Sequence, residues 1–222
     1  MADRHVVLSW SSGKDSAWTL KTLRDTPGVG VVALLTTVAE HAGRIPMHHV
    51  AERFLQRQVA AAELPLIRIP LPSPCPNEVY EERMRAGLAA VKEAGASEIA
   101  FGDLFLEDIR EYRERMLDGT GVSPLFPLWH RNTADLAREM VAGGLEAVVT
   151  SVDTSLLDAR FVGRRFDASL LDELPDGVDP CAENGEFHTF ACAGPMFIEP
   201  IRVRAGARGR WERIVYVDLE EA

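Results

Sequence analysis

Apolar positions fall into two textures along this chain. Over roughly the first hundred residues, short unbroken apolar runs alternate with stretches of helical periodicity. "HVVLSW", residues 5–10, reads as a buried strand, and "SAWTLKTLRD" as the helix that follows it. "VGVVALLTTV" is a second strand, rich in β-branched residues and without polar interruption. The stretch "VAERFLQRQVAAAEL" repeats Val50, Phe54, Leu55 and Val59 at helical spacing. "PLIRIPL" is a short strand, "NEVYEERMRAGLAAVKEAG" a long helix stopping at Gly95, and "SEIAFGDL" the next strand. Continuous apolar strands alternating with helices predict a parallel sheet covered on both faces.

After about residue 120 the texture changes. "DGTGVSPLFPLW" is rich in Gly and Pro and reads as a connection; "TADLAREMVAGG" is a helix and "LEAVVTSV" a strand. "LPDGVDPCAENGEF" is a turn-rich loop, and the closing segments "FIEPIRVR" and "RWERIVYVDL" are expected to pair as an antiparallel hairpin around "AGARG". The expected organisation is an α/β nucleotide-type domain over residues 1–122 and a smaller mixed α+β domain over 123–222.

Composition narrows the function classes. With 222 residues, 46% hydrophobic and 26% charged, the chain can bury one large core or two modest ones. No apolar run approaches the about 20 residues of a membrane span, and "MADRHVVLSW" lacks the pattern of a secretory signal. Three cysteines, an odd number, suit reduced thiols and a cytoplasmic protein. Acidic residues outnumber basic ones 34 to 24, which argues against a nucleic-acid partner.

The chemistry begins at "SSGKDS", residues 11–16, between the first strand and the first helix. A Walker A loop would need Gly five residues before Gly13 and a hydroxyl after Lys14; Leu8 and Asp15 stand there instead. The logic of a strand, a small-residue turn and a helix start survives. Ser11, Ser12 and Gly13 allow the backbone to approach an anion, and Ser16 and the first helical N–H groups would meet it along the helix dipole. Lys14 is expected to act as a mobile point charge. Asp15 beside a phosphate makes sense if a cation such as Mg²⁺ lies between them. The plain alternative is a β-to-α turn with an ordinary helix cap.

Gly102 and Asp103 end the "SEIAF" strand, on the side where ligands sit in open α/β sheets, so Asp103 is a second candidate for Mg²⁺ or else a helix cap. Glu107 and Asp108 are candidates for metal, for a base or for dipole compensation, and Tyr112, Arg113 and Arg115 for pocket lining or solvated charge pairs. Asn184-Gly185 signals a turn. If "GEFHT" continues as a strand, Glu186 and His188 share one face, suited to binding an amine or handling its proton, while Phe187 and Thr189 take the other. Cys181, His188 and Cys192 lack the paired spacing of a zinc site, and "MHH" at 47–49 reads as a helix-start feature.

"SSGKDS" resembles the S-G-G-x-D-S loop of the N-type ATP pyrophosphatases in the adenine nucleotide α-hydrolase superfamily, with Ser12 where Gly is usual. "FGDLFLEDIREYRERM", "PLFPLW", "TSVDTSLLDARFVGRRFD" and "DPCAENGEFHTFACAGPMF" are together similar to the diphthine–ammonia ligase family and its bacterial relatives, the "ENGEFHTF" block resembling the bacterial branch. The resemblance implies a Rossmann-like adenine nucleotide α-hydrolase domain that binds ATP and Mg²⁺, followed by a substrate-binding domain. It implies cleavage of ATP to AMP and pyrophosphate, adenylation of a carboxylate acceptor, and amidation by ammonia or an amine. Leu35 and Thr36, ending the second strand, would meet the adenosine; Lys14, Asp15, Asp103, Glu186 and His188 would be catalytic. A homodimer stays open. The competing functions are an adenine-nucleotide sensor without chemistry and a tRNA-modifying enzyme of the same superfamily.

Overall fold

The computed structural model of the protein describes residues 4–40, 50–72 and 74–222; the Met-His-His run at 47–49 lies outside them. Five strands, β1 (Arg4–Ser9), β2 (Val29–Ala39), β3 (Leu66–Leu71), β4 (Glu98–Ala100) and β5 (Ser123–Leu125), form a parallel sheet in the order β3-β2-β1-β4-β5. The helices α1 (Lys14–Asp25), α2 (Glu52–Ala62), α3 (Asn77–Glu93) and α4 (Glu107–Leu117) connect them. The chain is therefore an α/β protein with a Rossmann-like sheet. Its strand order reverses at β1, so the carboxyl ends of β1 and β4 border the crevice where such sheets take ligands.

The alternation of side chains along a strand divides the core. Val6 and Leu8 of β1 join one buried cluster, while Val7 joins the other; Leu34 of β2 goes to the first, Ala33 and Leu35 to the second. Apolar residues at every position were required because both faces are covered. Helix α3 ends as its sequence predicts, with Gly95 at φ 78° taking a conformation that costs a β-carbon-bearing residue about 1–2 kcal/mol.

Helix α5 (Thr133–Ala142) leads to a second sheet of β6 (Glu146–Asp153), β7 (Phe187–Ala193), β8 (Val203–Trp211) and β9 (Ile214–Glu221), antiparallel in the order β7-β6-β9-β8. A short α6 (Ala168–Glu173) precedes β7. The larger buried cluster runs through both sheets without a break, and Phe54 of α2 meets Phe190 of β7 edge to face at 5.9 Å.

Two expectations need correction. The closing hairpin does not turn at "AGARG": that segment lies inside β8, which carries a register irregularity between Ala205 and Arg208, and the turn is Glu212-Arg213. Gly206 and Gly209 are small because Glu220 and Tyr216 cross over them, not because the chain reverses there. The "DGTGVSPLFPLW" connection also contains β5, the edge strand that tolerates Pro124. Among the described residues no helix is long and apolar enough to cross a membrane.

Candidate functional site

The loop Ser9–Gly13 leaves β1 and enters α1, whose N-cap is Gly13, without a side-chain cap. Ser12 sits at φ 71°, in the left-handed region, which accounts for glycine being usual there. A cavity of about 590 Å³ opens between this loop, the end of β4 and the segment that leads into β7. Its walls include Ser11, Lys14, Asp15, Ser16, Gly102, Asp103 and His188, seven of the residues anticipated from sequence. Ser12, Gly13, Leu35, Thr36 and Glu186 are not among the lining residues.

Gly102 lets β4 close on the loop. A β-carbon there would lie 3.2 Å from the carbonyl carbon of Asp15 and 3.3 Å from the amide nitrogen of Ser16. The second sheet closes the other side, where the Lys14 amide donates to Thr189 Oγ1 at 3.0 Å and the Ala191 amide to the Ser12 carbonyl at 2.9 Å.

Lys14 differs from the mobile charge expected of it. It is 2% exposed; its Nζ donates to Asp15 Oδ2 at 2.8 Å and to the Cys181 carbonyl, with the rings of Phe187 and Phe166 at 5.5 and 5.6 Å. Burial pulls its pKa down, but Asp15, Cys181 and Asp179 outweigh that and leave it raised. Burial likewise pushes the Asp15 carboxyl up, partly offset by Lys14, and Asp15 Oδ1 is buried without a partner. Asp103 is held bidentately by Arg113 at 2.5 and 3.0 Å, and that guanidinium lies 4.4 Å from the centre of the Phe101 ring.

The expected pairing of Glu186 with His188 is not what forms. Glu186 is buried and turned into its own loop, where Oε1 accepts from the Asp179 amide at 3.0 Å and from Asn184 Nδ2 at 3.1 Å. β7 starts one residue later, so strand alternation does not govern Glu186, and His188 lines the cavity without it. The glutamate of this segment that lines the cavity, beside Asp15 and Asp103 from the first sheet's side, is Glu183, two residues beyond Cys181. Its Oε1 accepts from the amides of Leu104 at 2.7 Å and Phe105 at 3.4 Å, joining the second domain to the end of β4. Burial, with the charges of Asp15 and Asp103, pushes Glu183 up to about 7 despite those two donors. Glu183 belongs to the "ENGEFHTF" block, but its spacing alone does not distinguish it from Glu186.

Glu107 and Asp108 are exposed, Glu107 lying 3.4 Å from His130, and Arg115 pairs on the surface with Glu111. Cys181 and Cys192 donate to different carbonyls, those of Thr133 and Glu146, and burial raises both thiols. Among the described residues no three His, Cys, Asp or Glu side chains gather as a metal group.

Residues 132–222 match the family model described as the diphthamide synthase C-terminal domain. The chain is similar to the diphthine–ammonia ligase of Rattus norvegicus, 30% identical over 173 residues, covering 75% of this chain and 64% of the rat protein. Against the Homo sapiens enzyme the identity is 34% over 122 residues, covering 52% of this chain and 46% of the human protein. Against that of Bos taurus it is 31% over 140 residues, covering 60% and 52%. The chain thus spans about half to just under two thirds of the length of these relatives.

Proposed function

We propose that the chain is a member of the diphthine–ammonia ligase family, to which it is similar, and that it is an ATP-dependent, AMP-forming ligase. In this reading it cleaves ATP to AMP and pyrophosphate, adenylates a carboxylate acceptor and passes the acyl group to ammonia. The observation that carries the proposal is the "SSGKDS" loop at the strand-order reversal of the parallel sheet, opening on a cavity of about 590 Å³ that the second domain also lines. Division into an ATP-binding part near residues 1–122 and an acceptor-binding part beyond it agrees with that arrangement.

The loop backbone and the N-terminus of α1 would hold the phosphates of ATP, with the helix dipole adding positive potential. Lys14, held by Asp15 at the cavity wall, adds positive charge there. Mg²⁺ would neutralise phosphate oxygens. Asp15 fits this ion because its Oδ1 is buried and unpartnered, whereas Asp103 fits only if Arg113 releases it. Arg113 on Phe101 offers a guanidinium to a carboxylate or phosphate. Glu183 and His188, on the acceptor side of the cavity, are suited to take a proton from an attacking nitrogen. Rate enhancement would come mainly from positioning and from charge stabilisation at the α-phosphate.

The test is incubation with α-labelled ATP, Mg²⁺ and ammonium, with and without a small-molecule extract as acceptor source, resolving AMP from ADP. AMP is expected, and Lys14→Met, whose side chain fits between Phe166 and Phe187, is expected to abolish it in a folded protein. ADP as the product, or full turnover by Lys14→Met, overturns the proposal. ATP binding with no turnover under any acceptor favours a sensor instead.

A further inference from the structure

Helix α2 buries Phe54, Leu55, Ala61 and Ala62 on one stripe, and at its centre stands a glutamine, Gln58, with 0% exposure. A buried amide left unpaired costs about 1–3 kcal/mol per group, so its partners are informative. Gln58 Oε1 accepts from Trp10 Nε1 at 3.0 Å. Its Nε2 donates to the Ser12 carbonyl at 3.0 Å and to the Ala191 carbonyl at 2.7 Å. The Ser12 carbonyl also takes the Ala191 amide, so two donors hold it.

We infer that Gln58 is a positioning residue for the nucleotide loop, acting through the Ser12 peptide; this rests on the ligase reading of the site. Loop N–H groups converge on an anion only when the intervening carbonyls are turned elsewhere. Ser12 adopts its left-handed conformation with no side-chain reward, since its hydroxyl is buried and unpartnered. Two donors on the Ser12 carbonyl, one of them Gln58, offset that strain. The same amide ties the loop to β7, the strand from which His188 and Thr189 reach the cavity, so one side chain sets the spacing between the phosphate and acceptor sides. Trp10 fixes the amide orientation and is itself held by the Leu35 carbonyl at 2.7 Å from its backbone nitrogen.

The experiment titrates ATP and inorganic pyrophosphate, each with Mg²⁺, into the wild-type chain, Gln58→Met and the double variant Ser12→Gly/Gln58→Met, with thermal unfolding of each in parallel. Gln58→Met is expected to bind both probes about ten-fold more weakly. The double variant should recover most of that loss, because glycine adopts the Ser12 conformation without strain. A residue that merely filled the core would lower the melting temperature while leaving affinity unchanged. Wild-type affinity in Gln58→Met, or no recovery in the double variant, overturns the inference. Should Gln58→Met fail to fold, Trp10→Phe, which removes the orienting N–H and leaves a smaller aromatic ring in place, is expected to weaken binding several-fold, and unchanged binding there overturns it equally. A wild-type chain that binds neither probe refutes the ligase reading of the loop and this inference with it; a wild type that binds, with unaltered variants, refutes the role of Gln58 alone.

Discussion

Substitution of Glu183 by glutamine tests the electrostatics of the cavity directly. Glu183 accepts from the amides of Leu104 and Phe105, and burial together with Asp15 and Asp103 lifts its pKa from 4.5 to about 7. A carboxyl raised in this way binds more protons folded than unfolded between those two values. Stability contributed by the protonated form is therefore complete below about pH 4.5 and is lost as pH rises through about 7. A shift of about 2.5 units corresponds to at most about 3 kcal/mol. Because Glu183 is only half-buried, solvent screening reduces this to roughly 1–2 kcal/mol. Glu183→Gln keeps an acceptor oxygen for Leu104 and cannot ionise. Its melting temperature, followed by far-ultraviolet circular dichroism in metal-free buffer, should exceed that of the wild type by about 2–8 °C near pH 8. The two curves should converge near pH 4.5. A constant offset at every pH, or a variant less stable near pH 8, would refute the argument that the charge of Glu183 opposes folding.

Three further outcomes follow from geometry. Ser12→Gly relieves a left-handed residue and removes an unpartnered buried hydroxyl, and should stabilise the chain by about 1 kcal/mol in urea titrations; a loss would show that Ser12 is not strained. Gly102→Ala puts a methyl group 3.2–3.3 Å from the backbone of Asp15 and Ser16, and should cost about 1–3 kcal/mol and weaken ATP binding, both measured on the purified variant. Phe190→Ala empties the contact with Phe54 where the two sheets share a core, and should cost about 3–5 kcal/mol in a single unfolding transition; a separate early transition would mean that the sheets fold independently.

Elements whose signal is local were legible in the amino-acid sequence. The runs "HVVL" and "VGVVALLTTV" carry no polar face because the sheet is covered on both sides, and α2 and α3 show their periodicity openly. The strand–turn–helix at Ser9–Lys14 was readable for the same reason: small residues between a buried strand and a helix leave few alternatives. β5 was hidden because three residues including a proline carry too little pattern, and the final turn because glycines that make room for Glu220 and Tyr216 look like glycines that reverse the chain.

What only the tertiary structure decided is the partner of each polar side chain at the site. Lys14 meets Cys181, 167 residues away; Glu183 meets Leu104, 79 away; Gln58 meets Ala191, 133 away. Nothing in the local spacing of "ENGEF" tells which glutamate turns inward to brace its loop and which reaches across to β4, because that choice depends on which backbone amides the other domain brings near. By itself the sequence determined where most of the strands and helices run and where a small-residue turn joins β1 to α1. The long-range contacts between the two sheets determined which charges face that position, since a buried polar group takes whatever partner the fold delivers to it.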